Sequence, residues 1–273
     1  MNWKFYNNAV LPDGDPREFD AKDCDVSSVF RAFRRAWMIR YTTDFDCSSK
    51  MTWWYCIKDT PFDITKLNAK RRYVINSGRK NFKIKKINPN EFVDEIANIN
   101  FEADKSYLIQ NNLSQIDIHN KIRDMNSSGN CDVFGAFSVE EGVLCGYLWV
   151  ESVGKCLKMI EQKCIPAYEK KQINAAMVDG ICSEYRTLLE TGSYLCDGER
   201  NIYHQTAFQD YLEKYFLFRK AYSTLNVKYR KWLWVVVHIL YPFREHINQL
   251  RKKTNMAIFG KIYAVLLMEE CSR

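Results

Sequence analysis

The chain has 273 residues, of which 47% are apolar and 27% charged, with a formal net charge of +7. That length can bury a substantial core and the apolar share supports one, which excludes an intrinsically disordered or low-complexity chain. The charge is local. Nine of the 40 Lys and Arg but a single acid, Glu245, fall in residues 219–253, so any anionic partner belongs to that part of the chain.

The ten cysteines fall singly, mostly inside apolar runs, and no pair has the spacing of a zinc site or a redox motif. With no secretory signal at the N-terminus, they read as reduced thiols in a cytoplasmic protein. His119, His238 and His246 have no ligand spacing with any Cys or acid, so no metal is expected. No G-x-S-x-G elbow supports Ser/His/Asp chemistry either.

Residues 1–25, rich in Asp, Pro and Asn, read as an irregular lead-in. Val26–Arg40 carries Val29, Phe30, Phe33, Trp37 and Met38 near helical spacing, while Trp37–Tyr41 equally suits the start of a strand. Met51–Lys58 is aromatic and β-prone, a buried strand closed by Pro61. Ile64–Ser77 sets Leu67, Tyr73, Val74 and Ile75 among Lys66, Lys70, Arg71 and Arg72, a basic helix stopped at Gly78. Phe82–Ile87 alternates apolar residues with Lys, a half-buried strand. A helix follows over Asn90–Ile99, with Asn90 as its cap and Glu91, Asp94 and Glu95 at its positive end.

Val133–Val139 and Val143–Val153 flank Glu140-Glu141-Gly142, a hairpin pattern. Leu157–Ile165 is a third strand ending at Pro166; a helix over Ile173–Leu189 and a strand over Ser193–Cys196 come next. Thr206 and Gln209 form a capping box at a helix over Ala207–Tyr215, and Phe218–Tyr222 and Leu225–Tyr229 supply the last strands. Trp232–Tyr241 is an apolar and aromatic run, too short for the roughly 20 residues of a spanning helix. It reads as a buried core helix, with interfacial membrane attachment as the alternative. Met256–Met268 forms a final apolar-faced helix.

Cys164–Met177 reads C-I-P-A-Y-E-K-K-Q-I-N-A-A-M, between a predicted strand and a predicted helix. Such a turn leaves backbone N–H groups pointing outward, where they bind phosphate oxygens with help from the helix dipole. Lys170 and Lys171 add positive charge, and Ala175 and Ala176 permit close approach. An ordinary strand-to-helix connection is the other reading. Pro166, Tyr168, Lys171, Ile173 and Ala176 stand where the GNAT acyltransferase superfamily commonly has Pro-x-Tyr-Arg-Gly-Lys-Gly-Ile-Gly-x-Ala, and the segment resembles that acyl-CoA-binding motif. Glu169 replaces the usual Arg or Gln, while Lys170, Gln172 and Asn174 occupy glycine positions, where glycine lets the backbone reach a pyrophosphate. The resemblance covers roughly Phe82–Tyr229. It implies an α/β (α+β) fold, a GNAT-like mixed sheet flanked by helices, and an acyl-CoA donor held by Lys170, Lys171, Gln172, Ile173, Asn174 and Ala175.

Lys66–Ile87 resembles the basic helix and following strand of Fem-like transferases, which pair two GNAT-like units and build peptidoglycan cross-bridges from aminoacyl-tRNA on a lipid-linked precursor. The division this implies is a partial, reduced GNAT-like unit over 1–65, an acyltransferase core over 66–230 and a basic, apolar helical extension over 231–273. Related GNAT-like proteins serve surface-polysaccharide synthesis, with an amino sugar as acceptor. Asp44, Asp46, Trp54, Arg71 and Arg72 are then the acceptor-side candidates, since aromatic faces stack on sugars and carboxylates hydrogen-bond hydroxyls. Paired tryptophans in a strand serve core and edge packing equally well.

The run Asp197-Gly198-Glu199-Arg200-Asn201-Ile202-Tyr203-His204-Gln205 follows the strand that, in GNAT folds, splays from its neighbour to admit the donor. Acyl transfer to an amine needs a base for the amine proton and an acid for the leaving group. His204 has the pKa range of a base, Asp197 or Glu199 could orient it or act through water, and Tyr211 lies near the tyrosine acid of many GNAT enzymes. A plain Asp-Gly turn is the other reading. The expectation is a cytoplasmic enzyme, peripheral at the inner face of the membrane, that moves an acyl group from acyl-CoA or aminoacyl-tRNA to an amine of an amino sugar or lipid-linked envelope precursor. The alternative is a catalytically silent GNAT-like module that binds an anionic membrane or a nucleic acid through residues 219–253.

Overall fold

The structure, a computed structural model, describes residues 2–106, 115–127, 129–200, 207–254 and 256–273. The strands are β1 (Asn2–Tyr6), β2 (Ala9–Asp13), β3 (Met38–Thr43), β4 (Trp53–Lys58), β5 (Phe82–Ile87), β6 (Cys131–Ser138), β7 (Leu144–Val153), β8 (Cys156–Cys164), β9 (Tyr194–Glu199) and β10 (Arg219–Tyr229). The helices are α1 (Val26–Ala32), α2 (Ala69–Asn81), α3 (Val93–Ser106), α4 (Gln115–Ser127), α5 (Ile173–Glu184), α6 (Arg186–Glu190), α7 (Ala207–Phe216), α8 (Lys231–Leu240), α9 (Arg244–Thr254) and α10 (Ala257–Cys271). The chain divides into two compact units. One comprises Met1–Cys56, Glu199–Phe208 and Lys220–Arg273, the other Ile57–Gly198 and Gln209–Arg219.

In the first unit the strand order is β1-β2-β3-β10-β4. The expected irregular lead-in is a hairpin instead: β1 and β2 pair antiparallel with Tyr6 opposite Ala9, joined by Asn7 and Asn8 at φ 47° and 62°. Both loop residues are left-handed, the geometry of a two-residue hairpin loop, and asparagine tolerates it better than other non-glycine residues. β2 runs parallel to β3, and β10 antiparallel to β3. β10 is one continuous strand where two were expected. Two clusters cover the sheet. Leu233, Val237, Ile247, Leu266 and Met268 from α8, α9 and α10 pack with Met38, Trp53 and Leu225. Val29 of α1 packs with Val10, Ala36, Ile39 and Tyr41.

In the second unit the order is β9-β8-β7-β6-β5, antiparallel from β5 to β8 and parallel between β8 and β9. Ile96 and Ile99 of α3 and Ile118, Ile122 and Met125 of α4 cover one face, against Val133, Leu144 and Tyr147. α5 covers the other: Ile173 reaches Gly146, and Gly180 sits so close to Ile84 that a Cβ there would meet its Cγ2 at 2.7 Å. The mixed α+β sheet with helices on both faces is the architecture the sequence implied.

Two expected helix boundaries are corrected. Gly78 does not end α2 but lies buried inside it, because α2 touches the start of α5 there: a Cβ on Gly78 would meet Gln172 O at 2.8 Å and Ala176 N at 2.9 Å. Asn90 does not cap α3. Asn88 accepts from Asn90 N and caps a short turn over Pro89–Glu91, and α3 begins at Val93.

Candidate functional site

β8 and β9 pair only as Cys156–Tyr194, Leu157–Leu195 and Lys158–Cys196. Beyond that point β8 continues for six residues with no β9 partner among the described residues, so the two strands part at their carboxyl ends. The β7–β8 register slips at the same place: Glu161 pairs with Trp149 and Met159 with Val150, leaving Ile160 as the extra residue of a bulge. Paired residues share a sheet face. The bulge therefore turns Glu161 and Lys163 to the α3/α4 side with Tyr147, and Gln162 and Cys164 to the α5 side.

The turn from β8 to α5 opens at that splayed end. Pro166–Lys171 forms a short 3-10 helix, and Gln172 then takes φ 69° and ψ 37°, a left-handed conformation at one of the positions where the GNAT motif has glycine. Among the described residues no side chain caps α5, so its first-turn N–H groups depend on other partners. Asn174 Oδ1 accepts from Gln162 Nε2 at 2.8 Å, tying the first turn of α5 to the splayed end of β8. Asn81 Nδ2 donates to Lys171 O at 3.0 Å and holds the turn from the α2 side. Lys171 Nζ pairs with Glu140 at 2.9 Å, which raises its pKa, while Lys170 is exposed. Ile173 and Ala175 are buried against the sheet.

Asp197 is the first β9 residue past the last pair with β8. Burial pushes its carboxyl up to about 7, with a hydrogen bond from the buried Gln209 of α7 acting in the opposite direction. Tyr211, two residues on along α7, has its ring 4.8 Å from that of Tyr215 and 5.9 Å from that of Phe216, and burial raises its phenol well above the usual range. Glu199 belongs to the first unit, where Arg40 Nη2 pairs with it at 2.8 Å and Tyr55 donates to it at 3.0 Å. His204 lies outside the described residues, as does Thr206 of the expected capping box.

A polar cluster that the sequence reading missed lies on the α3/α4 side of β8. Glu161 accepts from Tyr147 at 2.5 Å and pairs with Lys121 of α4 at 2.6 Å; Lys163 pairs with Asp104 of α3 at 2.8 Å. Asn100 Oδ1 accepts from Lys121 at 2.9 Å, and its amide nitrogen lies 3.1 Å from the Tyr147 oxygen. Burial lowers the Lys121 pKa against the opposing charge of Glu161, and burial next to Glu161 raises Tyr147 far above the phenol range. The one signal available beforehand was the pair of opposite charges Glu161 and Lys163, two residues apart and so on one face of a strand.

No protein-family model matches the sequence, and no curated protein is similar to it at a meaningful level. Solved structures do match. FemX superposes with a TM-score of 0.51 at 10% identity, over 80% of this chain and 81% of that one. A conserved protein of unknown function from Bacteroides thetaiotaomicron gives 0.50 at 11% identity, over 80% and 78%. The chain therefore shares the fold of FemX. The acceptor-side candidates are distributed over both units. Asp44 and Asp46 hold a left-handed turn after β3, at φ 53° and 61°. Trp54 lies under Lys220 Nζ, 4.7 Å from its ring centre, in the same unit. Arg71 and Arg72 sit on α2 in the other unit, where Arg72 Nη1 donates to Leu67 O at 2.6 Å.

Proposed function

We propose that the protein is an acyl- or aminoacyl-transferase whose donor lies in the opening between β8 and β9 and whose acceptor is an amine. The observation that carries this reading is the end of β8–β9 pairing at Lys158 and Cys196, directly followed by a carboxyl poised near 7. A base with a pKa near the working pH is the most effective proton acceptor. Past Lys158 the β8 edge carries peptide N–H and C=O groups suited to an extended, amide-bearing donor arm. Gln162 Oε1 is buried with no hydrogen-bond partner among the described residues, a cost of about 1–3 kcal/mol that a donor N–H would offset.

In this reading ionised Asp197 takes a proton from the acceptor ammonium, and the freed amine attacks the acyl carbonyl carbon. Asp197 releases that proton to solvent and takes a second from the nitrogen of the tetrahedral adduct; the C–S bond of a thioester or the C–O bond of an aminoacyl ester breaks, and the leaving thiolate or alkoxide receives this second proton from Asp197, directly or through Tyr211. The first turn of α5 would face the phosphates of acyl-CoA. Gln172 supplies the left-handed backbone there, although Lys170, Gln172 and Asn174 add bulk that a glycine turn lacks. The cluster around Glu161 would bind the polar groups of an amino sugar or lipid-linked envelope precursor.

Titrating the purified protein with acetyl-CoA and with a non-hydrolysable aminoacyl-tRNA analogue tests the donor assignment. Binding of one of them, followed by amide formation on an amino-sugar acceptor, supports the reading. A folded protein that binds neither overturns it. The second reading, a catalytically silent module, is favoured by the engagement of Glu199 with Arg40 and of Lys171 with Glu140, which occupies two of the expected site charges.

A further inference from the structure

α8 is not the buried core helix that its composition suggests. Leu233 and Val237 point into the first unit's core, but Trp232, Val235, Val236, Ile239 and Phe243 are exposed, with Ile239 at 61% and Phe243 at 57%. On α8 the spacing of Trp232, Val235, Val236 and Ile239 (i, i+3, i+4 and i+7) places them within an arc of roughly 100° on one side of the helix, and Phe243 ends the short 3-10 turn Tyr241–Phe243 that follows it. The stripe extends onto the segment after α1. Trp37, 45% exposed, meets the Trp232 ring edge-on at 5.5 Å. Arg230 locks the two segments together, donating to Ala36 O at 2.6 Å and to Phe30 O and Arg34 O at 3.0 Å.

This stripe is bordered by charge of one sign. Arg31, Arg34, Arg35, Lys228 and Lys231 are exposed, and neither 26–43 nor 226–243 contains a single acid. No helix among the described residues is long and apolar enough to cross a membrane. We propose that this surface seats the protein on an anionic bilayer, with α8 lying in the interface, its apolar stripe among the acyl chains and the arginines on the headgroups. Tryptophans at the edge of an apolar stripe suit the headgroup level, and each nearby cation strengthens attraction to anionic lipid. A symmetric pairing of two copies through this face would bring the same arginines against each other, which disfavours self-association. The aliphatic Val235, Val236 and Ile239 offer a nucleic acid neither stacking nor hydrogen bonds. The inference stands apart from the transferase reading, since it concerns only the first unit.

The test is co-sedimentation with vesicles of phosphatidylcholine, with and without phosphatidylglycerol, at low and high salt. The protein should bind the phosphatidylglycerol vesicles, and more weakly as salt rises. The variant I239E/F243E and, separately, R34E/R35E should each lose binding by at least about tenfold while melting at the wild-type temperature and binding acetyl-CoA or the tRNA analogue as the wild type does. Absence of vesicle binding by the wild-type protein overturns the proposal, as does unchanged binding by both variants. A monomer–dimer shift in I239E/F243E during parallel ultracentrifugation, without a change in vesicle binding, also overturns it.

Discussion

Replacing Asp197 with Asn removes one titration and leaves the shape of the residue unchanged. Burial lifts this carboxyl from an ordinary 3.8 to about 7, roughly three units at about 1.4 kcal/mol each. The folded state therefore binds a proton there that the unfolded state has released between about pH 4 and 7. On this account the contribution of Asp197 to stability is fully present in acid and falls as pH rises through 7, by at most about 4 kcal/mol. The amide of Asn cannot ionise. D197N should match the wild type near pH 4 and exceed it by about 2–4 kcal/mol near pH 8 in urea melts. It should also lose about 10²–10⁴-fold in transfer rate, because the base is gone. In the wild type kcat/KM should rise to a plateau with a midpoint near 7, and in D197N that limb should vanish. A D197N protein no more stable at alkaline pH, or one that keeps the same pH–rate midpoint, would refute the assignment of a half-buried, functional carboxyl.

Gln209→Ala removes the hydrogen bond that holds the Asp197 pKa down, so the midpoint of the rising pH–rate limb should move upward; an unmoved midpoint would leave Gln209 with a packing role only. Gly78→Ala places a methyl 2.8 Å from Gln172 O and 2.9 Å from Ala176 N, both backbone atoms that cannot swing away. About 1–3 kcal/mol of stability should be lost in thermal or urea melts, and an unchanged melt would contradict the close α2–α5 contact. Gln172→Gly relieves a left-handed residue worth about 1–2 kcal/mol of strain against about 0.5–1 kcal/mol of added chain entropy. Stability should stay near wild type while affinity for the phosphate-bearing donor rises by calorimetry; equal affinity would count against the turn as a donor site. Glu161→Gln leaves Lys121 half-buried without its carboxylate partner and should cost about 1–3 kcal/mol, with a rise in the KM for the acceptor if the cluster binds it.

Where local pattern and tertiary structure agree, the chain could be read directly. The alternation of Phe82–Ile87 gave β5 its bounds, and Glu140-Glu141-Gly142 marked the turn between β6 and β7 because Gly142 there takes φ 73°. The illegible parts depend on contacts between distant residues. Asn7-Asn8 closes a hairpin without the glycine that usually announces one. Gly78 looked like a helix stop, and only the α5 backbone against it explains a glycine inside α2. The Glu161 cluster depends on the bulge at Ile160, which turns that side chain toward Lys121, 40 residues earlier. α8 is apolar all round, and composition could not say which face meets the core and which meets solvent.

The claim on which the functional account depends is that a donor occupies the opening between β8 and β9. Hydrogen exchange followed by mass spectrometry, with saturating acetyl-CoA and separately with a non-hydrolysable aminoacyl-tRNA analogue, measures this directly. The account predicts that one of them slows exchange in peptides spanning residues 159–176 and 195–199, with little change in β5 and β6. Protection absent from these peptides under both donors, or confined to α8–α10, would contradict it.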